Sequence, residues 1–173
     1  YFRANGETVA QSTAGTGDER LCVNTGLISN EVSDWAVVEI ITWDYALSLE
    51  EIEDVELHLG TRFFDLSMPP PYAHYTYDSW DASANVWYDT SGNGFHSNAA
   101  TGTITAVSET ATGGPNYLSG GVSDSICLSD SDIIATTFTI CSLSKYTSTS
   151  NRGSIINGRD GNWYHGQWSG HVG

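Results

Sequence analysis

Along most of this chain the apolar positions recur at every second residue or in short unbroken runs, and only one stretch repeats them at a helical spacing. The strongest run is Trp35 to Trp43, WAVVEIITW. Its length and its β-branched residues predict a strand at a central position in a sheet. Tyr1 to Ala4 leads into Asn5-Gly6, a tight hairpin signal, and Thr8-Val9-Ala10 reads as the return strand. A Ser/Thr/Gly loop from Ser12 to Gly17 follows, and Arg20 to Asn24 is a short strand closed by Gly26. Later in the chain Val86–Tyr88, Ser125–Leu128, Thr136–Leu143 and Gly153–Asn157 read as further strands. The turns Ser91-Gly92-Asn93-Gly94, Gly113-Gly114-Pro115-Asn116 and Asn157-Gly158 punctuate them.

The helical exception follows the long strand. Ser48 with Glu51 forms a capping box, in which each side chain meets an amide the first turn leaves unpaired. Acidic residues fill the first turns in keeping with the helix dipole. Ile52, Val55 and Leu59 make an apolar stripe, and Gly60 is placed to end it. Short strands, frequent turns, one amphipathic helix and no βαβ rhythm together predict an all-β fold. The expected architecture is an antiparallel jelly-roll β-sandwich with the helix capping one edge or end.

The order of these elements is unusual. Trp35 to Phe64 reads as the closing part of a domain, residues 72–173 read as an opening, and Ser67-Met68-Pro69-Pro70-Pro71 stands between them. Consecutive prolines fix φ and remove amide donors, so neither a helix nor a central strand runs through them; a short polyproline II spacer is expected. The segment Asp34-Trp35-Ala36-Val37-Val38-Glu39-Ile40-Ile41-Thr42-Trp43-Asp44-Tyr45-Ala46-Leu47-Ser48-Leu49-Glu50-Glu51-Ile52 resembles the last strand and closing helix of laminin G-like domains of the concanavalin A-like lectin/glucanase superfamily. Trp80-Asp81, Val86-Trp87-Tyr88-Asp89, Ser91-Gly92-Asn93-Gly94-Phe95-His96 and Thr137-Phe138-Thr139-Ile140-Cys141 are similar to the opening of the same module. The resemblance divides the chain into residues 1–66, a C-terminal half-sandwich; residues 67–71, a Pro-rich linker; and residues 72–173, an N-terminal half-sandwich. A whole module would need about two more strands, roughly 20 to 30 residues with their loops. The expectation is either a window cut from a tandem array or halves that complete each other, within one chain or between neighbours. A sheet edge left open would otherwise recruit other strands.

Composition changes the picture mainly through charge. With 39% hydrophobic and 16% charged residues the chain has the makings of a folded core. Lys and Arg total 6 against 21 Asp and Glu, a formal charge of -15. Such a field repels phosphate backbones and anionic lipid, so nucleic acid and membrane-surface partners are not expected. No apolar run is long enough to span a bilayer, which argues against membrane insertion. Tyr1 in place of Met, with no charged-then-apolar leader, reads as a chain that begins within a longer protein or after processing. The 18 Gly, the Ser and Thr content and 12% aromatic residues fit an extracellular or cell-surface β domain. Cys22, Cys127 and Cys141 lack zinc-site spacing, leaving buried thiols or one disulfide plus one thiol, with the disulfide slightly favoured. No Asn-x-Ser/Thr triplet occurs.

Candidate chemistry is sparse. Glycosidases need two carboxylates flanking a scissile bond, carried on a strand in this architecture. The nearest run, Glu51-Ile52-Glu53-Asp54-Val55-Glu56, has helical spacing and reads as a solvated helix face. His58, His74, His96, His165 and His171 lack any catalytic spacing and are read as surface or turn residues. Asp89 with Asn93 brackets a tight turn, and Asp124, Asp130 and Asp132 form an acidic loop, both suited to a structural calcium. For Asp89 an Asx-type turn is the favoured alternative. Trp163, Tyr164, His165 and Trp168 form an aromatic and polar cluster able to stack on a sugar and bond its hydroxyls, although the odd spacing of the two indoles predicts that at least one is buried. Pro69, Pro70 and Pro71 are candidates for a hydroxylated, glycosylated linker. The expected function is a non-catalytic structural module of a fibre or tandem-repeat assembly, with copies of itself or neighbouring repeats as partners and no cofactor beyond that calcium. A carbohydrate-binding module with glycan partners is the alternative.

Overall fold

In a computed structural model the chain is described over residues 2–4, 7–10, 20–25, 32–61, 69–109, 114–131, 133–134, 136–159, 164–165, 167–168 and 171–172. The first part holds β1 (Phe2–Ala4), β2 (Glu7–Ala10), β3 (Leu21–Val23), β4 (Trp35–Trp43) and the helix α1 (Leu49–Thr61). After the prolines come β5 (Ala73–Thr76), β6 (Trp80–Asp81), β7 (Val86–Trp87), β8 (Thr105–Val107), β9 (Tyr117–Gly120) and β10 (Ile126–Cys127). Then follow β11 (Thr139–Tyr146), β12 (Ile156–Gly158), β13 (Tyr164–His165), β14 (Gln167–Trp168) and β15 (His171–Val172). Every pairing among them is antiparallel. The fold is an all-β sandwich with one α-helix among the described residues.

β4 is the spine. All nine of its residues are buried, because strands flank it on both sides and layers cover both faces. β11 runs along one side, from Thr139 opposite Trp43 to Tyr146 opposite Trp35. The other side is shared end to end by β9, opposite Trp35 to Val37, and β5, opposite Glu39 to Thr42, with β8 beyond β9. Strands from both sides of the proline run therefore build one sheet. The second sheet, in the order β10-β3-β12-β13, mixes them in the same way.

Between the sheets lies the main core, which includes Leu21, Val23, Trp35, Val37, Ile40, Tyr75, Trp87, Leu118, Ile126 and Ile156. On the opposite face of β4, Ile41 and Trp43 pack with Leu47, Ile52 and Val55 beneath α1. The protein is thus layered as sheet, core, sheet, smaller core, helix. The smaller core is what holds α1 in place. Its start is the expected capping box: the Glu51 amide donates to Ser48 Oγ at 3.3 Å, and Glu51 Oε2 accepts from the Ser48 amide at 2.7 Å.

Alternation along β4 changes phase once. Leu143 faces Glu39 and Ser144 faces Val37, so Val38 is an extra residue, a β-bulge, with no partner in β11. Trp35 and Val37 point into the main core before it, and Ile40 does so after it. Strict alternation would have sent Glu39 into that core as well. The bulge turns it instead to the helix side, where Ile41 and Trp43 also point.

Other boundaries move by a few residues. The strand expected over Thr136–Leu143 runs Thr139–Tyr146, and Gly153–Asn157 narrows to Ile156–Gly158. β5, β8 and β9 carry no clear period in the sequence and form because β4 and its neighbours supply partners for their backbones. The prolines are not a free spacer throughout: the Trp43 indole donates to the Pro69 carbonyl at 3.2 Å, and the Tyr72 amide donates to Thr42 O at 2.6 Å. Pro70 is exposed and Pro71 half-buried. Ser67 and Met68, the Asn5-Gly6 turn and the Ser12–Gly17 loop lie outside the described residues.

Candidate functional site

Glu39 is the one charged residue in an apolar strand, and a buried carboxylate needs donors or a cation to offset the water it loses. The bulge aims it beneath α1. There His58, near the C-terminal end of α1, and His74, on β5 opposite Ile41, bring their Nε2 atoms to Glu39 Oε1, with His58 at 3.3 Å and His74 in close hydrogen bond. The Glu39 side chain is 1% exposed, against 25% for His58 and 18% for His74, so the cluster is sealed on the sheet side and open past the imidazoles. Burial alone would raise the Glu39 pKa. The His74 bond and charge, with smaller contributions from His58, outweigh it and hold the carboxyl below its usual range.

One donor atom from each of these three residues falls within 4.8 Å of the others. Each comes from a different element, and β5 lies across the prolines from β4 and α1. His74 is held from behind: its amide donates to Asp89 Oδ1 at 2.9 Å, and its carbonyl accepts from the Thr90 amide at 2.8 Å. Reading His58 and His74 as surface or turn residues is therefore corrected. The available sequence signal was the lone acid in an apolar strand, but nothing in the spacing of 39, 58 and 74 joins the three. His96 does serve a turn, accepting the Asp89 amide on Nδ1 at 3.1 Å and packing edge-on to Tyr88.

Asp89 sits in the expected Asx-type turn. Its Oδ1 accepts the amides of His74 and Ser91, each at 2.9 Å, and its Oδ2 accepts the Phe95 amide at 3.0 Å and the Ser91 hydroxyl at 2.8 Å. These donors fill the lone-pair positions a carboxylate has. Burial would raise its pKa, but the Ser91, His74 and Phe95 donors outweigh that and lower it. Asn93 turns its amide to the Tyr72 carbonyl at 2.9 Å. In the acidic loop, Asp124 accepts from the Gly121 and Thr103 amides, and Asp130 from Asn98 and Arg159. Asp132 lies outside the described residues.

The aromatic cluster is only partly described. Trp163 lies outside the described residues, and Tyr164 and Trp168 are placed by backbone in β13 and β14. His165 is half-buried, bonds Ser142 Oγ at 3.1 Å, and has its pKa pushed down to about 4 by burial. It faces β11 rather than solvent. An open depression of about 340 Å³ lies nearby in the chain, lined by Tyr146, Thr147, Ser148, Thr149 and Arg152.

No disulfide is formed: all three cysteines are thiols. Cys22 and Cys127 are nonetheless directly opposed on β3 and β10, and the hydrogen bond between their thiols, helped by Arg159 and Arg20, lowers the Cys127 pKa. Cys141 is pushed up to about 12 by burial beneath α1. Among the described residues no helix is long and apolar enough to cross a membrane. No family model, curated protein or solved structure matches the chain.

Proposed function

We propose that this chain is a non-catalytic module of an extracellular fibre or tandem-repeat assembly, built as two laminin G-like half-sandwiches in reversed order. The observation that supports the reading is the shared sheet. β4, from before the prolines, is hydrogen-bonded to β11, β5 and β9, all from after them. Among the described residues the two parts are joined, besides the proline segment itself, by backbone ladder, side-chain hydrogen bonds and packing, with no disulfide between them. The same ladder can therefore form between the closing half of one copy and the opening half of the next, and such head-to-tail contacts grow into filaments. The carboxylates best placed for chemistry, Asp89 and Glu39, are engaged inside the fold.

The test is light scattering and negative-stain imaging of the purified chain over a range of concentrations. Cross-linking of mixed isotope-labelled copies then shows whether β4 of one copy reaches β11 of another. Head-to-tail oligomers with such links are expected; a monomer at every concentration would overturn the proposal. The open depression, with three hydroxyl side chains beside Tyr146 and Arg152, favours carbohydrate binding as the second reading. Glycan-array binding lost on Arg152→Ala would support it.

A further inference from the structure

We propose that Glu39, His58 and His74 form a binding site for one divalent transition-metal ion of the zinc class, which pins α1 and β4 to β5 across the proline junction. The ligand chemistry selects the ion. Two imidazole nitrogens and a single carboxylate suit zinc and its neighbours, whereas calcium and magnesium take oxygen shells. A tetrahedral zinc with ligands at about 2.0–2.1 Å holds its donor atoms roughly 3.3 Å apart. The His58 Nε2 to Glu39 Oε1 separation is 3.3 Å, and all three donors lie within 4.8 Å of one another, so small side-chain rotations suffice.

Three further features support a site rather than a chance cluster. Position is the first: Glu39 reaches this pocket only because Val38 is a bulge, and the His74 backbone is fixed by Asp89 and Thr90. Access is the second, since the partly exposed imidazoles leave room for the ion to enter and for water as fourth ligand. Charge is the third: a chain of net charge -15 gathers cations, and the buried carboxylate gains a counter-charge. The ion's role is structural. It would join residues that lie 19 and 35 positions apart and belong to the two parts of the sandwich.

The experiment is equilibrium dialysis and calorimetry of the purified chain with Zn2+, repeated with Co2+ as a spectroscopic probe of coordination. Expected are one ion per chain, a Co2+ absorption spectrum of tetrahedral type, and a melting temperature that rises with Zn2+ and falls back with a chelator. His58→Gln, at the more exposed of the two imidazoles, keeps a folded reference, and it should weaken binding at least about tenfold, as loss of even an outer-shell partner does. His74→Gln and Glu39→Gln should do the same, with far-ultraviolet dichroism reporting that each is folded. Calcium should not compete. Zn2+ binding unchanged in folded His58→Gln, octahedral Co2+ displaced by calcium, or no stoichiometric binding to the native chain would each overturn the proposal.

Discussion

Asp89 offers the sharpest test of how β5 is held to the turn that follows β7. Its carboxylate accepts four hydrogen bonds and ties β5, through the His74 amide, to the turn of Ser91 and Phe95. Asp89→Ala strands three backbone amides. At about 1 kcal/mol each, the low end for unsatisfied donors because water can enter the space, the loss is about 3 kcal/mol. For a chain of this size that is a fall of roughly 6–12 °C in melting temperature. Asp89→Asn keeps the Oδ1 bonds to His74 and Ser91 but sets an NH2 group against the Phe95 amide, so about 1–1.5 kcal/mol is expected. The pH dependence follows from the lowered pKa. A group whose pKa is lower folded than unfolded stabilises above the unfolded value, near 3.9 for Asp, and loses that contribution as pH falls through the folded value. The gap between wild type and Asp89→Asn should therefore be full at neutral pH and shrink below about pH 4. Urea unfolding followed by tryptophan fluorescence measures all three proteins. A loss under about 1 kcal/mol for Asp89→Ala, or a gap that widens in acid, would refute the reasoning.

Three further outcomes are expected. Gly120→Ala places a Cβ 2.8 Å from the buried Trp35 ring and 2.9 Å from Asp124 Cβ, and overpacking of this kind should cost about 1–3 kcal/mol in urea unfolding. Ser48→Ala removes the capping box and should cost about 1 kcal/mol, read as lost helical dichroism and a lower urea midpoint. Oxidised glutathione should link Cys22 to Cys127 by thiol–disulfide exchange, because directly opposed residues of an antiparallel pair have Cα atoms about 4.5–5.5 Å apart, within disulfide reach. Peptide mass mapping should find that pair and leave Cys141 a thiol; a link through Cys141 would contradict the register.

Local signals in the sequence determined the fold class, the extent of β4, and the start of α1. Each is legible because its cause is local: β-branched runs favour extended backbone, and a capping box satisfies amides three residues away. The Asx-type turn at Asp89 is legible for the same reason, since two of its donors lie within six residues. The tertiary structure alone decided where Glu39 points. A period of two cannot reveal an inserted residue, and Val38 is a bulge only because β11 pairs past it while β9 and β5 divide the other side of β4 at that position. β5 and β9 are too short and too mixed to show a pattern, yet they become strands because β4 offers them unpaired backbone. The meeting of Glu39, His58 and His74 depends on all of this at once. Each residue had a plain local reading, and only the packing of a helix and a distant strand against one bulged strand gave the three a common centre.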